Sequence, residues 1–157
     1  MATVTVHQWR DLARGLAELR RVARGPVVVL TFDGDELDRH WLAAYAPELI
    51  AAERRRYPPV PAIAAALGRT TDVIEVPIPI DCVDGFTEAY YARPEAFLDH
   101  HVRAAQSAWG FVSPEATERS VERLRADLTS GAWDQRYGHL RTQPQFLDSL
   151  RLLVGRP

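Results

Sequence analysis

Thr3-Val4-Thr5-Val6-His7-Gln8-Trp9-Arg10-Asp11 and, one helix later, Val27-Val28-Val29-Leu30-Thr31-Phe32-Asp33 are the residues on which the fold turns. The β-branched run Thr3–Val6 reads as a strand that ends in a polar turn. Val27–Asp33 is apolar at almost every position, as in a strand covered on both faces. Between them a helix spans Asp11 to Arg24. Leu12, Leu16, Leu19 and Val22 form its apolar stripe, and Arg10, Arg14, Glu18, Arg20 and Arg21 lie opposite. Gly25 and Pro26 stop it, and the arginines near its end suit the helix dipole. Strand, helix and strand make a βαβ unit, so the expected class is α/β, a partial doubly wound and mainly parallel sheet of about four strands with flanking helices. Ligands of such sheets sit beyond the carboxyl ends of the central strands, on loops that usually include a Gly-rich turn. No such turn stands ahead of Thr3, and the chain reads as opening in mid-sheet.

The 157 residues fit one domain, expected over 1–157, with 46% hydrophobic and 25% charged residues as in an ordinary globular protein. The formal net charge of -2 argues against nucleic acid or an acidic membrane as partner. All 19 basic residues are arginine and they are scattered, which fits GC-rich codon usage better than a binding surface. A single Cys82 excludes an intramolecular disulfide and a cysteine-based zinc site. No run approaches the roughly 20 residues of a membrane span or the length of a signal peptide, so the cytoplasm is the expected compartment.

Downstream of Asp33, Asp35 is positioned to cap a helix that carries Trp41, Leu42 and Tyr45, breaks at Pro47 and resumes to Arg56. Tyr57-Pro58-Pro59-Val60-Pro61 is a break, and Ala62–Leu67 a short helix stopped by Gly68. A third strand is expected over Thr71–Ile80, with Ile74, Val76, Ile78 and Ile80 on one buried face. Pro77 and Pro79 lack an N–H, so this strand borders the sheet or leaves it. Helical segments follow over Gly85–Arg93 and Pro94–Trp109. Ser113-Pro114-Glu115 is a helix start that runs to Gly131. A polar aromatic loop (Trp133, Tyr137, Gly138, His139) then leads to a last strand, Leu150–Val154. Residues 83–131, rich in aromatics, are expected to form a helical lid.

The run Thr3–Leu12, continued by Gly15-Leu16-Ala17-Glu18-Leu19-Arg20-Arg21-Val22 into Val27–Thr31, resembles the middle of a class I S-adenosylmethionine-dependent methyltransferase. There a strand ending in a His-His-Trp-like turn, a helix and an apolar strand are the fourth strand, a helix and the fifth strand. The likeness continues through Asp81-Cys82-Val83-Asp84-Gly85-Phe86 and the tail. It implies that the later strands are the sixth, at the sheet edge, and the seventh, inserted antiparallel beside it. Gln8 stands where many members have a second His. The family's Gly-rich cofactor loop and the acidic residue that binds the ribose are absent, so the resemblance implies a carboxyl-terminal half, inactive alone.

That resemblance gives S-adenosylmethionine as the cofactor and a small molecule as the methyl acceptor. Val6 and His7, at the carboxyl end of the first strand, would border the cofactor's amino-acid part, with Trp9 walling the substrate pocket. The competing reading has His7 as a hydrogen-bonded turn residue and Trp9 packed on the core. Asp33 ends the neighbouring strand and points into a substrate cavity, or serves the turn before Gly34. Tyr90 and Trp109 offer apolar walls and cation–π contact to a sulfonium or amine; the plainer alternative makes such aromatics a helical core. Asp33, Asp35, Glu36 and Asp38 lack the spacing of a calcium loop, and His100 and His101 face different sides of a helix, so no metal site is expected. Cys82 reads as a small buried hydrophobe rather than a nucleophile. In-line methyl transfer demands alignment more than acid–base groups, and no catalytic base stands out. The partner expected is an amino-terminal half, or a second copy by self-association. The competing function is a non-enzymatic interaction module that pairs through an exposed sheet edge.

Overall fold

The computed structural model describes residues 1–68 and 70–156. In chain order its elements are β1 (Ala2–Thr3), α1 (Leu12–Val22), β2 (Val27–Phe32), α2 (Pro47–Arg56), α3 (Val60–Leu67), β3 (Thr71–Glu75), β4 (Ile78–Pro79), α4 (His100–Ala104), α5 (Pro114–Ser130), α6 (Ala132–Tyr137), β5 (Gln145–Phe146) and β6 (Leu150–Gly155), joined by several 3-10 turns. The chain divides into two compact units. The first holds Met1–Leu37, Arg54–Val76 and Leu147–Pro157; the second holds Asp38–Glu53 and Pro77–Phe146.

The first unit is built on a four-stranded sheet of order β1-β2-β6-β3. β1 is parallel to β2, and β6 is antiparallel to both β2 and β3, so three strands run one way and the last runs against them. On β2, Val27, Val29 and Thr31 are fully buried on one face while Val28 and Leu30 are half-buried on the other. That explains the unbroken apolar run. α1 and α3 contribute Leu16, Val60, Ile63 and Leu67 to one core with Val6, Val27, Val29 and Leu153. Each such aliphatic side chain stabilises the unit by about 1.5–3 kcal/mol. The end of α3 crosses β6 so closely that a Cβ at Gly155 would lie 2.8 Å from Leu67 Cβ.

Several boundaries differ from the sequence reading, each for a local reason. β1 stops at Thr3 because Val4 turns left-handed (φ 48°), although its N–H still donates to Leu30 O at 2.8 Å. Thr5 and Val6 therefore leave the ladder, and Val6–Gln8 forms a 3-10 turn. Val22 is 60% exposed and not part of the apolar stripe. Successive i+3 steps each fall about 60° short of a full turn, so Val22 ends about 120° from Leu16. The expected strand over Thr71–Ile80 is two strands in two sheets. β3 ends at Glu75, Pro77 breaks the ladder, and Ile78–Pro79 pairs with Gln145–Phe146. Ile78 is buried but Ile74 is 46% exposed, since the two do not share a strand face. Pro77 and Pro79 do mark a border: β3 is the outermost strand.

The second unit is a set of short helices and turns around aromatic side chains. Trp41 meets Tyr45, Phe97 and Trp133 edge-on, with centroids 5.8, 5.7 and 5.5 Å away. Tyr91 stacks on Phe146 (4.9 Å) and its hydroxyl donates to Gln143 O at 2.6 Å. α5 begins as its sequence requires, with Ser113 Oγ accepting the Ala116 N–H at 3.2 Å, and it ends at left-handed Gly131 (φ 78°). The expected helices over Gly85–Arg93 and Pro94–Trp109 are instead 3-10 turns and the single-turn α4. Pro94 forces Arg93 out of helical geometry (φ −129°, ψ 62°), and Asp99 starts a fresh turn by capping His101 N. The cap of the Trp41 turn is His40, not Asp35, and residues 132–137 form α6 rather than a loop. No helix among the described residues is long and apolar enough to cross a membrane.

Candidate functional site

In the first unit, the carboxyl ends of parallel β1 and β2 carry the Val4–Trp9 turn and the Asp33–Asp35 turn. The left-handed backbone at β-branched Val4 is a true outlier and the kind of strain that the surroundings must hold in place. It swings Val6 into the core, 1% exposed, and leaves His7 half-buried at the rim. The His7 ring leans on Tyr57 (4.7 Å), and Tyr57 in turn meets Phe32 edge-on (5.4 Å). Gln8 Nε2 lies 3.4 Å from His7 Nε2. His7 Nδ1 is buried and has no hydrogen-bond partner among the described residues. Burial, reinforced by the Arg56 cation, holds the His7 pKa below its ordinary value and keeps the ring neutral.

Asp33 is fixed by backbone and side chain together. Its N–H donates to Ser149 O (2.7 Å), its Oδ1 accepts the Asp35 N–H (3.2 Å), and its Oδ2 lies 4.0 Å from Arg151 Nε. Arg151, on β6 between Thr31 of β2 and Glu75 of β3, is itself only 7% exposed. It also reaches Glu75 at 3.6 Å and donates to Asp148 O at 2.6 Å. Asp33 thus serves the turn and is within ion-pair range of a buried cation. The same turn is clasped by Arg54, whose Nε donates to Gly34 O at 3.0 Å. A Cβ at Gly34 would sit 3.2 Å from Arg54 O and 3.5 Å from Tyr57 Cβ, so the turn and the Arg54–Tyr57 segment meet backbone to backbone.

Trp9 packs over α1. A Cβ at Gly15 would come within 2.4 Å of Trp9 Cε3, and the indole joins the core cluster from its edge. Tyr90 and Trp109 belong to the second unit, where both meet Phe97, at 5.4 and 6.4 Å. Tyr90 is half-buried with the Arg93 guanidinium 5.0 Å over its ring. Trp109 is 7% exposed and lines two hollows, of about 530 and 330 Å³. Val6, His7 and Asp33 therefore share one end of one sheet, and Tyr90 and Trp109 share one aromatic cluster. No group of three or more His, Cys, Asp or Glu residues able to hold a metal occurs among the described residues.

Sequence reasoning passed over Tyr57, Arg54 and Arg151. Tyr57 lies in a proline-rich break that carries no periodic signal. Arg151 announced itself only as a charge inside the apolar run Leu150–Val154.

No protein-family model matches the chain, and no curated protein does. A solved structure does match: a protein of Anabaena variabilis ATCC 29413 described as a candidate methyltransferase from an antibiotic biosynthesis pathway. The two chains are 29% identical, with a TM-score of 0.90 over 99% of this chain. This chain spans 64% of that neighbour's length. Over almost all of its residues, the fold described above is methyltransferase-like.

Proposed function

We propose that the chain forms the carboxyl-terminal half of a class I S-adenosylmethionine-dependent methyltransferase acting on a small molecule. The observation that carries this reading is the strand order β1-β2-β6-β3 with β6 antiparallel, the arrangement the resemblance implies for the fourth, fifth, seventh and sixth strands. The likeness to the Anabaena protein supports it. On this reading Val6 and His7 border the donor's amino-acid part. His7 Nδ1, protonated, would donate to the donor's carboxylate, and a neutral imidazole does not oppose a sulfonium. When bound, the donor supplies an electrophilic methyl group, transferred in line to the acceptor. The chain's part is alignment and exclusion of water: Tyr57 packs beside His7 at the rim, and Asp33 holds its turn. Trp9 is assigned to the acceptor side of the first unit's sheet end. The Gly-rich loop and the ribose-binding acid would come from an amino-terminal half.

Calorimetric titration of S-adenosylmethionine into the chain, alone and with an amino-terminal half encoded upstream, tests the reading. Binding is expected only in the mixture, and His7→Ala there lowers affinity about tenfold, the loss of one charge-assisted hydrogen bond. Absence of binding in both titrations overturns it.

A further inference from the structure

Two hollows of the second unit share Arg103, Trp109 and Thr117 in their walls and lie side by side as two lobes. The narrower lobe, about 330 Å³, is lined by donors, among them His100, Arg103, Gln106 and Trp109, and no Asp or Glu is among its lining residues. The wider lobe, about 530 Å³, adds an apolar wall of Val112, Pro114 and Val121, with Glu118, Glu122 and Arg125 of α5 along it.

Two donors in the narrower lobe's walls lack acceptors. Gln106 and Trp109 are each 7% exposed, and neither Gln106 Nε2 nor Trp109 Nε1 has a hydrogen-bond partner among the described residues. Gln106 Oε1 already accepts from Thr87 Oγ1 at 3.1 Å, which fixes the amide with its NH2 away from that hydroxyl. A buried N–H without an acceptor costs free energy that a guest oxygen would recover. Arg103 donates to Phe97 O at 2.5 Å, one of its five N–H groups. Burial lowers its pKa, Asp99 raises it, and the like charge of Arg125, which lines the same wider lobe, lowers it again. The Asp99 carboxylate accepts the His101 N–H at 2.8 Å and lines neither lobe.

We propose that this cleft binds a small organic carboxylate with an apolar body, the carboxylate seated against Arg103, Gln106 and Trp109 and the body along Trp109, Val112 and Val121. Charge sets the orientation: in the wider lobe Glu118 and Glu122 offset Arg103 and Arg125, whereas the narrower lobe has Arg103 and no acid. A single planar anion matches one guanidinium fork and two neutral N–H donors, whereas a phosphate dianion needs more positive charge than Arg103 offers. The site lies wholly in the second unit and does not rest on methyl transfer.

The test uses the uniformly labelled full chain and an N–H correlation spectrum, in which the Trp109 indole signal is assigned by its loss in Trp109→Phe. The probes are 3-phenylpropionate, the matching amide and phenyl phosphate, each titrated to millimolar concentration at neutral pH. The acid should give a saturable downfield shift of the Trp109 indole, with the amide bound about tenfold more weakly. Arg103→Gln should bring the acid down to the level of the amide. Should that variant fail to fold by circular dichroism, Thr117→Glu, which puts a carboxylate at a residue common to both lobes, must weaken the acid and spare the amide. No saturable shift with the acid, equal binding of acid and amide, or tighter binding of phenyl phosphate overturns the proposal. No S-adenosylmethionine is present, so failure here and failure of the methyltransferase reading are separate results.

Discussion

Trp9 and Gly15 show how one small residue sets the place of a large one. A methyl group at Gly15 would lie 2.4 and 2.7 Å from two indole carbons, so Gly15→Ala must displace Trp9 and should cost about 1–3 kcal/mol. In a Trp9→Leu background the same change loses its clash, and the higher helix propensity of alanine should make it stabilising by up to about 1 kcal/mol. A double-mutant cycle by urea denaturation reads both signs. His40 offers a second test. It is 2% exposed, its Nδ1 accepts the Leu42 N–H at 3.2 Å, and burial pushes its pKa down to about 3 from 6.5. The unfolded chain therefore binds a proton below pH 6.5 that the folded chain refuses, and stability falls as the pH drops. The slope is about 1.4 kcal/mol per pH unit for one proton. His40→Asn keeps a capping acceptor and removes the titration, so unfolding measured between neutral and mildly acidic pH should lose that part of its slope. Side-chain roles of this kind were hidden in the sequence. Trp9 and His40 look alike there as aromatics beside helix starts, and only packing distinguishes a rim residue from a buried one.

At the level of elements, capping chemistry was the most legible signal. Ser113-Pro114-Glu115 announced α5, whereas the cap of α1 by Asp11, which accepts the Arg14 N–H at 2.9 Å, emerges in the structure. Ser113→Ala should cost about 1 kcal/mol and speed amide exchange in the first turn of α5 without touching the four-stranded sheet. Strand existence was legible too: β2 and β6 lie where the apolar runs placed them, and β3 takes up the first half of its expected span. Strand ends were less so. Nothing in Thr3-Val4-Thr5-Val6 signals a left-handed valine, because the β-branched run is in itself a good strand and the tertiary frame overrides it. The alternation Ile74-Val76-Ile78-Ile80 was real, but a period of two cannot report that the chain changes sheets midway. Pro77 and Pro79 carried that information.

For the molecule as a whole, the sheet end that carries Val6, His7 and Asp33 could be inferred from chain order, since ligand sites of α/β sheets follow strand termini. The Trp109 cleft could not, because it depends on which turn of a helix-poor segment lies beside α5. Nor did composition reveal two compact units, whose boundaries are crossed after Leu37, Glu53, Val76 and Phe146. The longest uninterrupted piece of the second unit, residues 77–146, lacks Trp41 and Tyr45. Trp41 meets Trp133 and Phe97, and the Tyr45 hydroxyl donates to Asp127 Oδ2 at 2.8 Å. Expressed alone, that piece should show weak near-ultraviolet dichroism and no cooperative melt; a sharp transition would contradict the packing described.

The interleaving of the two units also bears on proteolysis. One nick cuts the linear chain into two pieces, but each unit is assembled from segments distant in sequence, so for many cuts the pieces stay together through non-covalent packing such as that of β6 between β2 and β3. A protease that scores this chain once would leave a molecule that migrates as fragments under denaturing conditions yet behaves as intact in native ones.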